Sequence, residues 1–153
     1  MLLCHDQDGR GQCVFKLGND NVTELAMALT QLEFLSFGRT CFEITCATTV
    51  ACLLPISVHC VMLDSLVIHF NTTNIVGDFK DLSGDSRFQE LRSLPRCALR
   101  DLDVYRTPLT LSESDLETVA NGVVDIFPSL EYCEGCDEAW DEISERIAEL
   151  QKM

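Results

Sequence analysis

Basic residues are scarce in this chain, because 11 lysines and arginines stand against 25 aspartates and glutamates, for a formal net charge of −14. Such a charge repels phosphate groups, which argues against a nucleic-acid partner and against an anionic membrane surface. The imbalance is greatest from Glu113 onward, where 12 residues are acidic and two are basic. If the chain binds another protein, a basic partner is favoured.

Long apolar runs are also lacking. The longest one, residues 50–63, is interrupted by Pro55 and His59 and is too short to span a bilayer. The first residues, MLLCHDQDG, have no basic start and do not resemble a signal peptide. The nine cysteines are odd in number and irregularly spaced, so we expect reduced, buried thiols. These features together predict a cytoplasmic or nuclear protein.

Motifs for catalysis are missing as well. There is no glycine-rich phosphate loop, no G-x-S-x-G and no H-E-x-x-H, and the three histidines are far apart. Cys133 and Cys136 form a C-x-x-C. A structural zinc site needs a second pair of ligands, and the nearest pair, Cys41 with Cys46, has a spacing unlike that of known sites. The sequence thus predicts no enzyme activity, no metal and no cofactor, and a small enzyme with an unrecognised site is the alternative.

What the sequence does contain is a short motif that recurs. Residues 63–71, LDSLVIHFN, match the L-x-x-L-x-L-x-x-N core of a leucine-rich repeat, with isoleucine at the sixth place. Similar frames begin at Leu32, Leu99 and Leu130, so that successive copies are 31, 36 and 31 residues apart. The fourth copy is degenerate, because its sixth place is Gly135. Side chains alternate along a strand, so the first, fourth and sixth places should point inward and the third, fifth and seventh outward.

The residues around each frame predict turns and helix starts. Asn71, at the ninth place, should turn the chain off its strand by bonding the backbone with its side chain. Asn21 with Glu24 resembles a capping box that would open the first helix, and Ser114 with Glu117 resembles one that would open the fourth.

Other segments give further expectations. A second helix is expected over residues 45–60, kinked or ended early by Pro55. Residues 71–85 are expected to form a long connection that accounts for the spacing of 36 residues. Near the C-terminus, Asp137 should cap a helix that covers the exposed end of the core. The apolar stripe of that helix consists of Trp140, Ile143, Ile147 and Leu150.

We therefore predict an α/β protein of the leucine-rich-repeat solenoid class, with short parallel strands on a concave face and helices on a convex face. Residues 1–136 would form a leucine-rich-repeat-like domain of about four irregular repeats. Residues 137–153 would form a C-terminal capping helix. Parallel strands are expected near residues 34–37, 65–69 and 101–105, each preceded by a helix.

The helix–strand units and the segment over residues 99–150, LRDLDVYRTPLTLSESDLETVANGVVDIFPSLEYCEGCDEAWDEISERIAEL, resemble a known family. They are similar to the C-terminal leucine-rich-repeat portion of F-box-like proteins that are numerous in mushroom-forming fungi. The resemblance covers most of the chain and implies a ubiquitin-ligase adaptor, in which an F-box holds the ligase scaffold and the repeats choose what is bound. No F-box helices are visible before the repeats, so only the recognition half carries over and docking to a ligase scaffold does not follow. A truncated, non-functional relative of a longer adaptor is a second alternative.

Side chains at the outward places of the frames are the candidate partner-binding residues. They are Phe34, Val67, His69, Asp101, Asp103, Tyr105, Tyr132 and Glu134. Aromatic groups among charges are common at protein interfaces. The sequence therefore predicts a non-catalytic surface that binds protein, with Tyr105 and Tyr132 as anchors and the carboxylates attracting basic residues. A solvated strand face without a partner is the alternative.

Overall fold

The computed structural model describes residues 2–3, 17–37, 47–91, 93–105 and 107–152. Within these ranges the strands are β1 (Leu2–Leu3), β2 (Phe34–Phe37), β3 (Ser65–Val67), β4 (Asp101–Asp103) and β5 (Tyr132–Glu134). The α-helices are α1 (Asn19–Ala28), α2 (Leu53–His59), α3 (Ile75–Gly84), α4 (Ser86–Leu91), α5 (Glu113–Ile126) and α6 (Glu138–Leu150). A short 3₁₀ turn, Val50–Cys52, leads directly into α2.

The strands pair in chain order and all in parallel, so that β1 to β5 form one sheet. The register places residues of equal frame position side by side, which gives a line across β2 to β5 of Leu35, Leu66, Leu102 and Cys133. The predicted α/β class, the three predicted strands and their parallel pairing are confirmed. β3 and β4 are shorter than predicted and end at Val67 and Asp103.

A backbone pattern recurs where each strand begins. The carbonyl groups at the second places of the first three frames, Glu33, Asp64 and Arg100, each accept two N–H bonds from the next frame, at 2.9–3.2 Å. These bonds involve the main chain alone. They hold neighbouring strands in register whatever side chain occupies the second place.

The core lies between the sheet and a layer of helices in which α1 contacts α2, α3 contacts α5, and α5 contacts α6. The inward places of the second and third frames are at most 1% exposed; they are Leu63, Leu66, Ile68, Leu99, Leu102 and Val104. Burial of one such side chain contributes about 1.5–3 kcal/mol relative to its exposure to water. The inward places of the frame are therefore the main apolar support of the sheet.

Two helices begin earlier than their predicted caps. α1 starts two residues before Asn21, whose Oδ1 accepts a hydrogen bond of 3.1 Å from the N–H of Gly18. α5 starts one residue before Ser114, and Ser112, which precedes the helix, donates its hydroxyl to Asp115 Oδ2 at 2.7 Å. In both cases an upstream residue already has extended backbone and takes the cap position, so the predicted cap residue lies in the first turn.

The second helix is shorter than predicted. Residues 45 and 46 lie outside the described residues, and residues 47–49 are not helical. α2 begins at Leu53, so Pro55 falls in its first turn. An N–H in the first turn has no partner within the helix, and proline there loses nothing. Pro55 therefore helps to start α2 and does not end it.

Residues 71–85 were predicted to form a long connection, and this prediction is wrong from Ile75 onward, where a helix begins. Asn71 does form the expected turn, because its Oδ1 accepts from the N–H of Thr73 at 2.9 Å. The chain then enters α3, on which Ile75 and Phe79 are buried. A Cβ atom on Gly122 of α5 would lie 2.3 Å from Cδ1 of Phe79, so glycine at that position lets the two helices approach. A connection had been predicted over this whole segment, so α3 was missed.

The last helix packs against the core through its apolar stripe. Trp140, Ile143 and Ile147 of α6 are buried, and Leu150 is partly buried. The indole N–H of Trp140 donates to the carbonyl of Thr107 at 2.8 Å. Hydrogen bonding of the buried N–H removes the cost of taking this polar group out of water.

Two residues near α6 explain features of the fourth frame. A Cβ atom on Gly135 would lie 2.2 Å from Cδ1 of Trp140, so the glycine at the degenerate sixth place makes room for the indole ring. Asp137 precedes α6 as predicted, yet its Oδ2 accepts from the N–H of Leu109 at 2.8 Å and makes no cap bond. The aspartate thus ties the preceding loop to the start of the helix.

Candidate binding surface

The face of the sheet opposite the helices, called the outer face below, carries two rows of side chains. The first row consists of the third places of the frames, and the register aligns them in the order Phe34, Ser65, Asp101 and Tyr132. The second row consists of the fifth places, aligned as Ser36, Val67, Asp103 and Glu134. This register places Asp101 and Asp103 of β4 beside Tyr132 and Glu134 of β5.

The first row is open to solvent. Phe34 and Tyr132, at its two ends, are 43% and 64% exposed. Asp101 is exposed, and Ser65 is half-buried between it and Phe34. Both ends of the row therefore present an aromatic ring that a partner could cover.

The second row is open on one half of the sheet only. Asp103 is half-buried and Glu134 is exposed, whereas Ser36 and Val67 are 1% and 3% exposed. Val67 is therefore not available as a binding residue, and that prediction is wrong. Strand alternation puts Val67 on the outer face, but alternation does not determine whether water reaches that part of the face.

His69 and Tyr105 were predicted to point outward from β3 and β4, but both lie beyond the ends of these strands. β3 ends at Val67 and β4 at Asp103, so the alternation of the strand does not extend to either residue. His69 is half-buried, and its Nδ1 lies 3.0 Å from the carbonyl oxygen of Tyr105. A carbonyl can only accept, so this nitrogen carries the proton and donates. Both residues connect the ends of two neighbouring frames, and the half-buried Tyr105 is not an outward anchor of the strand face.

The outer face and the strand starts next to it are together strongly acidic. Over the second, third and fifth places of the four frames there are six carboxylates, which belong to Glu33, Asp64, Asp101, Asp103, Glu131 and Glu134. Arg100 is the one basic residue at these places, and its Nε donates to Asp64 Oδ1 at 2.6 Å. This hydrogen bond lowers the pKa of Asp64 and raises that of Arg100. Sequence reasoning missed the second places, although Arg100 and Asp64 occupy equal positions in adjacent frames.

The C-x-x-C does not form a reactive pair. Cys133 points into the core, and burial, with a smaller effect of Asp103, raises the pKa of its thiol to about 12. Cys136 is exposed, and burial and Asp137 raise its pKa as well. Thiols with raised pKa values are poor nucleophiles and poor metal ligands at neutral pH. Among the described residues, no group of three or more histidine, cysteine or acidic side chains could hold a metal ion.

A shallow groove of about 250 Å³ lies on the helix side, between the 3₁₀ turn and α3. Its lining residues are Thr49, Ala51, Asp78, Asp81, Leu82 and Asp85. The groove is small for a drug-sized ligand, since ligand pockets usually hold about 300–1,000 Å³. Its three aspartates do not form a group that could hold a metal ion, and no such group is found among the described residues. The outer face remains the better candidate for a functional surface.

Comparisons with known proteins give no further assignment. No protein-family model, no curated protein and no solved structure matches this chain. No helix in the ranges that the structure describes is both long enough and apolar enough to cross a lipid bilayer.

Proposed function

We propose that this chain is a non-catalytic protein-interaction module that binds a basic protein through the outer face of its sheet. The observation that carries the proposal is the first row, which is open at both ends and combines two aromatic rings with acidic neighbours. Exposed charges steer association and select partners, and aromatic groups that become buried hold a complex together.

We further propose that the fold is a leucine-rich-repeat solenoid of about four irregular repeats closed by α6. Three features support this. The strands follow one another in chain order, the frames align in register, and the second-place carbonyls repeat their paired hydrogen bonds. By its resemblance to F-box-like adaptors, the module would supply substrate recognition.

The test compares proteins retained by three immobilised forms of the chain. One is the wild type, and one is a face variant with Asp101→Lys, Tyr132→Ala and Glu134→Lys. The third is a control with Glu142→Lys and Glu149→Lys on α6 and Met27→Ala on α1, all at exposed positions. The two variants carry the same change in net charge, and melting curves verify that both are folded.

We expect mass spectrometry to find proteins that the wild type and the control retain and the face variant loses. The same protein set on all three forms would contradict the proposal, because recognition would then not depend on the outer face.

A further inference from the structure

Two rows of outward side chains run across the described strands β2 to β5. Only in the first row does water reach the side chain on every strand. The second row is closed at Ser36 and Val67. Strands in a sheet are about 4.8 Å apart, so the row from Phe34 to Tyr132 spans three strand steps, or about 14 Å. A ligand that contacts both aromatic rings must therefore lie across the strands and not along one of them.

We propose that the partner presents an extended segment along the first row, with the pattern apolar, any, basic, any, apolar. This inference rests on the proposed function. Alternate side chains of an extended chain face the same way, and the chain rises about 3.3 Å per residue. The first, third and fifth residues of such a segment then face the sheet over about 13 Å, which matches the length of the row.

The chemistry of the row assigns each of these three residues. The outer two cover Phe34 and Tyr132, which are the exposed aromatic groups at its ends. The central residue meets the middle of the row, where the small side chain of Ser65 leaves space beside Asp101. A lysine or arginine there reaches the Asp101 carboxylate, and Asp103 lies two residues further along the same strand.

The edge of the sheet at β5 is not open to a partner strand. The N–H of Cys133 on β5 donates to Ser144 Oγ of α6 at 3.4 Å. α6 thus covers the free edge of β5, and a partner cannot add a further strand there without displacing the helix. A partner near β5 would therefore contact side chains of the first row and not the edge of this strand.

The experiment titrates isotope-labelled protein with two synthetic peptides and follows backbone amide signals by NMR, a method that detects weak binding. One peptide has the core leucine–serine–arginine–serine–leucine between glycine pairs. The other has the core leucine–arginine–serine–serine–leucine, with equal composition and the arginine on the opposite side of an extended chain. Asp101→Asn is compared with Asp81→Asn, which removes an exposed charge on α3.

We expect the first peptide to bind about tenfold more tightly than the second, with shifts centred on Phe34, Ser65, Asp101 and Tyr132. Asp101→Asn should remove most of this difference, and Asp81→Asn should preserve it. Equal binding of both peptides at the same amides would overturn the spacing while leaving the proposed function intact. Shifts confined to the helix layer, or no binding by either peptide, would also overturn the inference. The retention experiment with the face variant decides the proposed function separately.

Discussion

β2 and β3 differ from β4 and β5 on the outer face, although all four strands share one register. At the fifth places, the first pair has Ser36 and Val67, which are buried, and the second pair has Asp103 and Glu134, which are accessible. We call β2 with β3 the closed half and β4 with β5 the open half. The comparison shows that one repeated backbone can carry either small or apolar side chains that are buried or acidic side chains that water reaches.

The two halves also differ in what supports them. The open half is followed by α6, whose Trp140 fills the space left by a glycine at the sixth place. The closed half keeps large residues at its sixth places, Phe37 and Ile68. In the open half, α6 thus supplies the apolar group that the fourth frame lacks at its sixth place, whereas the third frame keeps a buried residue there, Val104.

The largest expected effect is the loss of that support. Trp140→Ala should lower the free energy of unfolding by about 3–5 kcal/mol, because a fully buried indole is removed. Trp140→Phe should cost less, since it keeps a ring and loses the hydrogen bond to Thr107. Denaturant melts followed by circular dichroism measure both. A loss below about 1 kcal/mol for Trp140→Ala would mean that α6 does not support the open half.

A charge placed in the closed half should have the next largest effect. Val67→Asp should cost about 3 kcal/mol, because a carboxylate would be introduced at a position that is 3% exposed. Glu134→Asp places the same side chain at the same frame position of the open half and should change stability by no more than about 0.5 kcal/mol. Equal costs in urea melts would show that the halves do not differ in access to water.

The glycine beneath Trp140 gives a smaller and more local test. Gly135→Ala should cost about 1–3 kcal/mol, since its new methyl group would overlap the indole ring. Gly84→Ala is the matched control, because no atom lies within 4 Å of the position of its Cβ. Thermal melts of the two variants should therefore separate. Similar melting temperatures would argue against a close fit of Trp140 in the open half.

Binding kinetics distinguish the two kinds of side chain in the open half. For a partner retained by the wild type, Asp101→Asn with Asp103→Asn should slow association and reduce its dependence on salt. Tyr132→Ala should mainly speed dissociation, at a cost of about 1–2 kcal/mol in affinity. Surface plasmon resonance at two salt concentrations measures both rates. If the aspartate and tyrosine variants both changed only the dissociation rate, the carboxylates would have no steering role.

The thiols provide the smallest expected effect. The folded chain holds Cys133 neutral, with a pKa of about 12 against an ordinary value of 9.0. Its contribution to stability is complete below pH 9 and is lost as the pH rises toward 12, costing about 1 kcal/mol between pH 9 and pH 10. Cys133→Ala should remove that part of the pH dependence. An unchanged pH dependence in this variant would show that the thiol is not protected.

Sequence reasoning found the strands because their signal is local and repeated. Leu63, Leu66 and Ile68 alternate in a pattern that a buried strand needs, and the same pattern returns at regular distances. α3 was missed although Ile75, Phe79 and Leu82 recur at steps of four and three residues, which is the spacing of an amphipathic helix. The contact of Phe79 with Gly122 of another helix, in contrast, could not be predicted from either segment alone.

The candidate surface was predictable only in part for a related reason. Alternation identified Asp101 and Glu134 correctly as outward residues, because it depends on strand geometry alone. Alternation could not predict that Val67 is buried, because it says only which face a side chain lies on and not whether water reaches that face. It also failed for His69, because the strand ends two residues earlier than predicted.

The paired hydrogen bonds at the second places have a consequence for how this fold can change. The carbonyls of Glu33, Asp64 and Arg100 join the strands through the main chain. The side chains of Arg100 and Asp64 add an ion pair between two frames, but an exposed pair of this kind contributes little to stability. The chain already uses both signs of charge at this position without altering the register. Substitutions there can revise which partners are attracted while the backbone stays as it is. The residue before each strand is thus a place where binding specificity can change with little effect on stability.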